Sequence, residues 1–323
     1  MDYGLLGTTD CSISRIGFGC APMGGYDYGR VNDDDSIAAV HRALELGINF
    51  FDTADVYGLG HSEEVLARAL GERRHEMMIA TKFGVAFDES GKTWRDTSPS
   101  RVRVALEGSL RRMRLESVPL FQLHWPDGRT HLADTMAELV RCQEEGKIRF
   151  IGCCNLTVPQ VTEMQLVGRV ESIQLPFSLL ERRHAPTFAS CAEVFQMSGL
   201  SYSSLAHGAL SGRTPDPARF TESDLRSRSP DTWQQVLSAA KAFAPRLNEF
   251  GQRIGRTPGQ IAVRWVLDKG GITGAIVGAK RPWQIEEISD AVGWQLDIDV
   301  SRSLDAVLTS SPKAEPGRSP DPP

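Results

Sequence analysis

The chain has 323 residues, 41% hydrophobic and 24% charged, with a net charge of -5 and a pI near 5.9. That is ample material for a core, and an α/β barrel of this length is routinely one domain. The acidic balance speaks against a sequence-independent nucleic-acid surface, which needs a basic field. The start, Met1-Asp2-Tyr3-Gly4, lacks a basic leader region, and no run of eighteen apolar residues occurs, so neither export nor membrane insertion is indicated. The cysteines (Cys11, Cys20, Cys142, Cys153, Cys154, Cys191) show no metal-ligand or paired spacing, which suits reduced thiols in a cytoplasmic protein.

In chain order, Leu5-Leu6-Gly7 and Ile13 flank a polar turn that suits a small hairpin. Strand-like apolar runs follow near 16–19, 50–52, 78–82, 120–124, 148–152, 172–174, 200–202 and 274–277. Helix-like stretches lie near 34–46, 63–70, 99–113, 132–145, 159–168, 186–196, 233–253, 258–268 and 282–291. Ser98-Pro99 puts a capping hydroxyl before proline at a first helical position. Thr157 with Gln160 and Thr257 with Gln260 have the capping-box spacing, and Gly47 and Gly146 fall where helices should stop. Eight strands alternating with helices predict a parallel sheet closed into a (β/α)8 TIM barrel with an N-terminal hairpin outside it. The barrel is expected to occupy residues 1–309 as one domain, with 310–323 a disordered tail rich in Pro, Ser and charge.

Reactive groups of such barrels gather at the C-terminal ends of the strands. Those ends here carry Asp52, Lys82, His124, the Cys154-Asn155 pair, Gln174 and Tyr202, with Tyr57 five residues past Asp52. Each has a structural reading alone: a turn former, a surface lysine, a satisfied core histidine. Core packing does not require the set. A free tyrosine titrates near 10 and is a poor acid at neutral pH. A buried ammonium beside the phenol stabilises the anion, a carboxylate keeps that ammonium charged, and a histidine can orient a carbonyl. Tyr57 would then protonate a carbonyl oxygen while hydride reaches the carbon. No side chain supplies hydride, so a reduced cofactor is implied. Gly278-Ala279-Lys280-Arg281-Pro282, between the last strand and helix, offers backbone N–H groups and two cations, which suit an adenosine 2′-phosphate. The stretch with Leu205, Gly208, Leu210 and Gly212-Arg213 reads as a glycine-hinged loop that folds over a pyrophosphate.

In order and together, Asp52-Thr53-Ala54-Asp55-Val56-Tyr57-Gly58, Ala80-Thr81-Lys82, Leu123-His124-Trp125-Pro126-Asp127, Glu145-Gly146-Lys147-Ile148-Arg149 and Gly278-Ala279-Lys280-Arg281-Pro282 resemble the aldo-keto reductases. The likeness runs from Leu5 to about Leu308 and is closest to the bacterial branch that includes inositol-operon and general-stress reductases. The resemblance implies that Tyr57 is the general acid, Lys82 and Asp52 its tuning pair, and His124 the substrate-orienting residue. It implies NADPH/NADP+ as cofactor, with Asn155 and Gln174 on the nicotinamide amide and Tyr202 stacked on the ring. Lys280 and Arg281 would hold the 2′-phosphate, and Gln284 and Glu287 would face the adenosine. Four positions depart from the family pattern: Cys154 in place of serine, Phe177-Ser178, Ser204 and Ile288. None is among the four catalytic positions.

Substrate choice is expected from the loops on the open face: Tyr26 and Tyr28, Phe87 and Trp94, Trp125, and the segment 213–231, with Arg95 and Arg183 nearby. A keto-sugar, a cyclic polyol-derived carbonyl or an aryl aldehyde would suit such a surface. The expected partner is a small-molecule carbonyl compound, with no nucleic acid and no membrane. Aldose or polyol dehydrogenation is the main alternative. A Schiff-base aldolase using Lys82 and a cofactor-sensing regulatory subunit are the rivals from other classes.

Overall fold

The computed structural model describes residues 1–25, 29, 31–213, 220–222 and 224–307. Two antiparallel strands, β1 (Tyr3–Leu5) and β2 (Ser12–Ser14), form the expected N-terminal hairpin. The chain continues as β3 (Ile16–Gly19), α1 (Asp33–Glu45), β4 (Phe50–Asp52), α2 (His61–Leu70) and β5 (Met78–Phe83). A second hairpin, β6 (Val85–Phe87) and β7 (Thr93–Arg95), precedes α3 (Pro99–Met113), β8 (Val118–Leu123), α4 (Leu132–Glu144) and β9 (Ile148–Cys154). Next come α5 (Val158–Gln165), β10 (Ser172–Pro176), α6 (Ala185–Phe195), β11 (Ser198–Tyr202) and the short α7 (Leu225–Arg228). The chain then runs through α8 (Pro230–Lys241), α9 (Ala244–Ile254), α10 (Pro258–Leu267), β12 (Ile272–Gly278), α11 (Pro282–Ser289) and α12 (Ile298–Asp305).

Strands β3, β4, β5, β8, β9, β10, β11 and β12 close into one parallel barrel, β12 pairing with β3 to complete the ring. These are the eight strands read from the sequence, so the (β/α)8 expectation holds. The barrel interior is packed by Phe50, Met78, Ala80, Leu120, Leu200 and Ile276. Leu6 and Ile13 of the N-terminal hairpin, both fully buried, join that layer from below. Each is worth about 1.5–3 kcal/mol of burial. Ser198 Oγ ties the hairpin down, accepting from Gly7 N and donating to Leu5 O. With the bottom plugged, the C-terminal ends of the strands are the open end. A larger apolar layer fills the space between strands and helices.

The helix caps follow the sequence. Ser98 Oγ accepts from Arg101 N, and Gln160 and Gln260 side chains accept from Thr157 N and Thr257 N. Three features differ from expectation. The single helix expected over 233–253 is two, α8 and α9, because Pro245 cannot donate an N–H inside a helix and starts a new one. The β6–β7 hairpin stands where a loop was expected. Helix α12, capped by Asp297 accepting from Asp299 N, was not foreseen. Among the described residues no helix is long and apolar enough to cross a membrane.

Candidate active site

Asp52 ends β4 and Lys82 sits one residue from the end of β5, both buried. Lys82 Nζ donates to Asp52 Oδ1 at 2.6 Å, to the Thr53 carbonyl at 2.8 Å and to Tyr57 Oη at 3.3 Å. Burial alone would lower the lysine pKa. The Asp52 carboxylate, then the Tyr57 phenol, outweigh it and hold the ammonium above its ordinary value. The other Asp52 oxygen accepts from Gln174 Nε2 at 2.7 Å and from Gln122 Nε2 at 3.4 Å. The carboxylate therefore has a partner on each oxygen, and its only described cation is Lys82.

Tyr57 is placed by backbone contact. A Cβ on Gly24 would lie 2.6 Å from Gly58 N, and one on Gly58 would lie 2.5 Å from Gly24 O. Gly58 also has φ +61°, in the left-handed region. Two glycines thus let the turn after β3 touch the turn that carries the phenol. His124, one residue past β8, is fixed by its N–H bonding to Phe83 O at 2.8 Å. Its ring meets Tyr57 edge-on, centroids 5.8 Å apart. Burial, with the charges of Lys82 and Arg95, holds the imidazole well below the usual histidine range, so it is neutral. Its Nδ1 is buried without a partner among the described residues, which leaves Nε2 as the nitrogen for the mouth.

Asn155 follows β9 with φ 57°, a conformation asparagine tolerates. Its Nδ2 donates to His124 O at 3.0 Å and its Oδ1 accepts from Tyr202 Oη at 2.8 Å. Asp52, Tyr57, Lys82, His124, Asn155, Gln174 and Tyr202 therefore stand in one contiguous cluster at the open end. Cys154 is fully buried beside it, and burial pushes its thiol up.

The loop after β11 docks on α10: Gly212, at φ +79°, would bring a Cβ within 2.7 Å of Pro258. Leu205, Gly208 and Leu210 lie in the same turn, where Leu210 N donates to Leu205 O. Past β12, Lys280 is half-buried and Arg281 exposed, with Asp35 at 3.6 Å from the guanidinium. Gln284, expected to face an adenosine, folds back instead, its Oε1 accepting from Lys280 N and Arg281 N. That helix start is thus capped by its own side chain. Glu287 pairs with Arg213 at 3.0 Å.

Trp125 lies beside His124, ring centroids 6.5 Å apart, whereas Trp94 is 43% exposed in β7. Strand alternation puts Trp94 on the face of the hairpin opposite Arg95, away from Trp125. Tyr26 and Tyr28 lie outside the described residues, as do 214–219 and 223 of the expected substrate segment.

Two parts of the cluster were not assigned from the sequence. Gln122 precedes His124 by two residues on β8, so period-two alternation was the available signal. Arg101, in the first turn of α3, reaches Asp55 Oδ2 at 2.6 Å in the Tyr57 loop. Burial pushes Asp55 up to about 7, against the pull of Arg101. Its proton is held more tightly folded than unfolded, where the value is 3.8, so this contribution is full below 3.8 and lost as pH rises through about 7. In urea unfolding, the wild type should therefore lose stability relative to Asp55→Asn between about pH 4 and about pH 7, and no further above that. A gap that does not move with pH would contradict the assignment.

A closed parallel barrel with a buried Lys–Asp pair under a phenol at its open end has the architecture of an enzyme. The family model described as the Aldo/keto reductase family matches residues 15–309, and the chain belongs to that family. It is accordingly an oxidoreductase of small carbonyl compounds that works with a nicotinamide cofactor. The chain is 30% identical to the aldo-keto reductase YhdN of Bacillus subtilis, over 96% of this chain and 95% of that one. It is also 30% identical to a Schizosaccharomyces pombe aldo-keto reductase, yakc, named for NADP(+), over 85% and 83% of the two chains. A solved glycerol dehydrogenase from Gluconobacter oxydans superposes with a TM-score of 0.84 at 35% identity, covering 95% and 94%.

Proposed function

We propose that this protein reduces an aldehyde or ketone to an alcohol with NADPH, Tyr57 acting as the general acid. The observation that carries the reading is the Lys82 ammonium, which contacts both Asp52 and the Tyr57 hydroxyl. Bound NADPH supplies the hydride for the carbonyl carbon. Tyr57 gives its proton to the carbonyl oxygen, and the adjacent ammonium stabilises the phenolate left behind. Asp52 keeps Lys82 charged and in place, and the neutral His124 hydrogen-bonds the substrate oxygen. Asn155 and Gln174 would hold the nicotinamide amide, with Tyr202 against the ring. Lys280 and Arg281 would hold the 2′-phosphate, and the turn of Leu205, Gly208, Leu210 and Gly212, with Gly278, would border the diphosphate.

The donor set fits that cofactor, since Arg281 is exposed at the start of α11 and its described anion stands at 3.6 Å. The six cysteines are all free, which supports the cytoplasmic location expected from the sequence. A Schiff-base role for Lys82 is disfavoured by its charge and its contacts with Asp52 and Thr53. The same groups serve alcohol oxidation, and the likeness to a glycerol dehydrogenase favours that direction as the second reading.

Turnover of 4-nitrobenzaldehyde and a keto-sugar panel, followed by NADPH absorbance, tests the activity. Arg281→Ala tests the cofactor: NADPH binding should weaken about 10- to 100-fold, as loss of a charge-assisted phosphate contact predicts, with NADH binding unchanged. Equal losses for the two cofactors, read by fluorescence titration, would remove the 2′-phosphate role.

A further inference from the structure

The cations around the mouth of the site differ in whether they are already neutralised. Lys82 is paired with Asp52, Arg101 with Asp55 at 2.6 Å, and Arg183 with Glu181 at 3.2 Å. Arg95 is not. Among the described residues its guanidinium makes no hydrogen bond and no ion pair. Its described polar contact is a cation–π approach to the Trp125 indole, Cζ 4.9 Å from the ring centroid.

The backbone of Arg95 is fixed on its strand. Arg95 closes β7 opposite Val85, and its carbonyl accepts from Arg129 Nη2 at 3.2 Å. Trp125 directly follows His124, their ring centroids 6.5 Å apart, so the indole stands next to both the imidazole and the guanidinium. An arginine held over an aromatic face by cation–π attraction keeps its N–H donors available and is only weakly hydrated. Its charge also reaches the imidazole, where it adds to the effects that keep His124 neutral.

The geometry points to Arg95 as a substrate-anion receptor: the preferred substrate is a carbonyl compound bearing a carboxylate or comparable anionic group on the side remote from the reacting carbon. Trp125 carries the apolar or aryl body between the two ends. A planar guanidinium offers paired N–H donors that match a carboxylate, whereas a neutral polyol would use such a fork less fully. This rests on the carbonyl-reductase reading of the site.

The test compares two molecules that differ in one charge, 4-carboxybenzaldehyde and methyl 4-formylbenzoate, on the wild type, Arg95→Gln and Arg95→Lys. The wild type should show a KM about tenfold or more lower for the carboxylate. Arg95→Gln should cut the carboxylate-to-ester ratio of kcat/KM about 10- to 100-fold, a ratio in which any effect through His124 cancels; Arg95→Lys should recover part of the loss. A rise in KM for both aldehydes together, or a wild type indifferent to the charge, would overturn the proposal, because a purely structural role for the contact predicts the former. Calorimetric binding of 4-(hydroxymethyl)benzoate and its methyl ester, with and without NADP+, reads the same preference without turnover. Arg95-dependent binding of the anion with no reduction of either aldehyde would sustain the receptor and sink the reductase reading. Turnover of both with no anion preference would do the reverse.

Discussion

Tyr57→Phe is expected to lower kcat/KM for aldehyde reduction by about a hundred- to ten-thousand-fold, the range for loss of a positioned general acid. NADPH affinity should stay within about threefold, because the ring is retained and only the hydroxyl, which meets Lys82, is removed. The variant should also fold normally. Its loop is set by the Gly24–Gly58 approach and by backbone hydrogen bonds from Tyr57 N to Ala54 O and Ser62 N to Tyr57 O, none of which uses the hydroxyl. Steady-state kinetics beside a fluorescence titration of cofactor reads both numbers. A variant that keeps most of its turnover would move the acid elsewhere, His124 being the nearest candidate.

The second large effect is at Lys82. Lys82→Met keeps a side chain of similar length but leaves Asp52 buried without a cation, its remaining described partners being the amides of Gln174 and Gln122. Breaking a buried pair from one side costs roughly 3–5 kcal/mol, so the melting temperature should fall by several degrees. Activity should fall at least as far as in Tyr57→Phe, since the phenol loses the ammonium that stabilises its anion. Asp52→Asn with Lys82→Met should recover part of the stability without recovering activity, because the uncompensated charge is gone but the phenol is still alone. A double variant no more stable than Lys82→Met would contradict the buried-pair account.

The barrel was legible because its eight strands are short apolar runs, most with a polar residue or glycine at or next to the last position, and because helix caps such as Ser98-Pro99 and Thr257-Pro258 announce themselves locally. The nearness of the candidate site residues was legible for the same reason: Asp52, Lys82 and His124 all lie at or next to strand ends, which a closed barrel brings to one rim. What escaped depends on partners distant in sequence or on elements too short to show a period. Strands β6 and β7 have three residues each, so alternation has no room to appear, and with them the placement of Arg95 and the outward turn of Trp94 were hidden. Gln122 and Arg101 find their carboxylates 70 and 46 residues away, and only barrel closure sets those distances. Gln284, three residues past Arg281, suits a cap as well as a ligand contact, and its side chain accepts from the backbone N–H groups of Lys280 and Arg281.

Hydride transfer to a carbonyl carbon, with a proton from Tyr57, leaves an isotopic mark on the product. The protein would be incubated with NADPH deuterated at the transferable C4 position and 4-nitrobenzaldehyde, and the product analysed by mass spectrometry and NMR. The expected product is 4-nitrobenzyl alcohol carrying one deuterium on the carbinol carbon, formed by the wild type and nearly absent with Tyr57→Phe. Cofactor binding without any labelled alcohol, together with covalent trapping of Lys82 by borohydride in the presence of a sugar phosphate, would contradict hydride transfer and bring forward carbon–carbon bond chemistry at the same lysine.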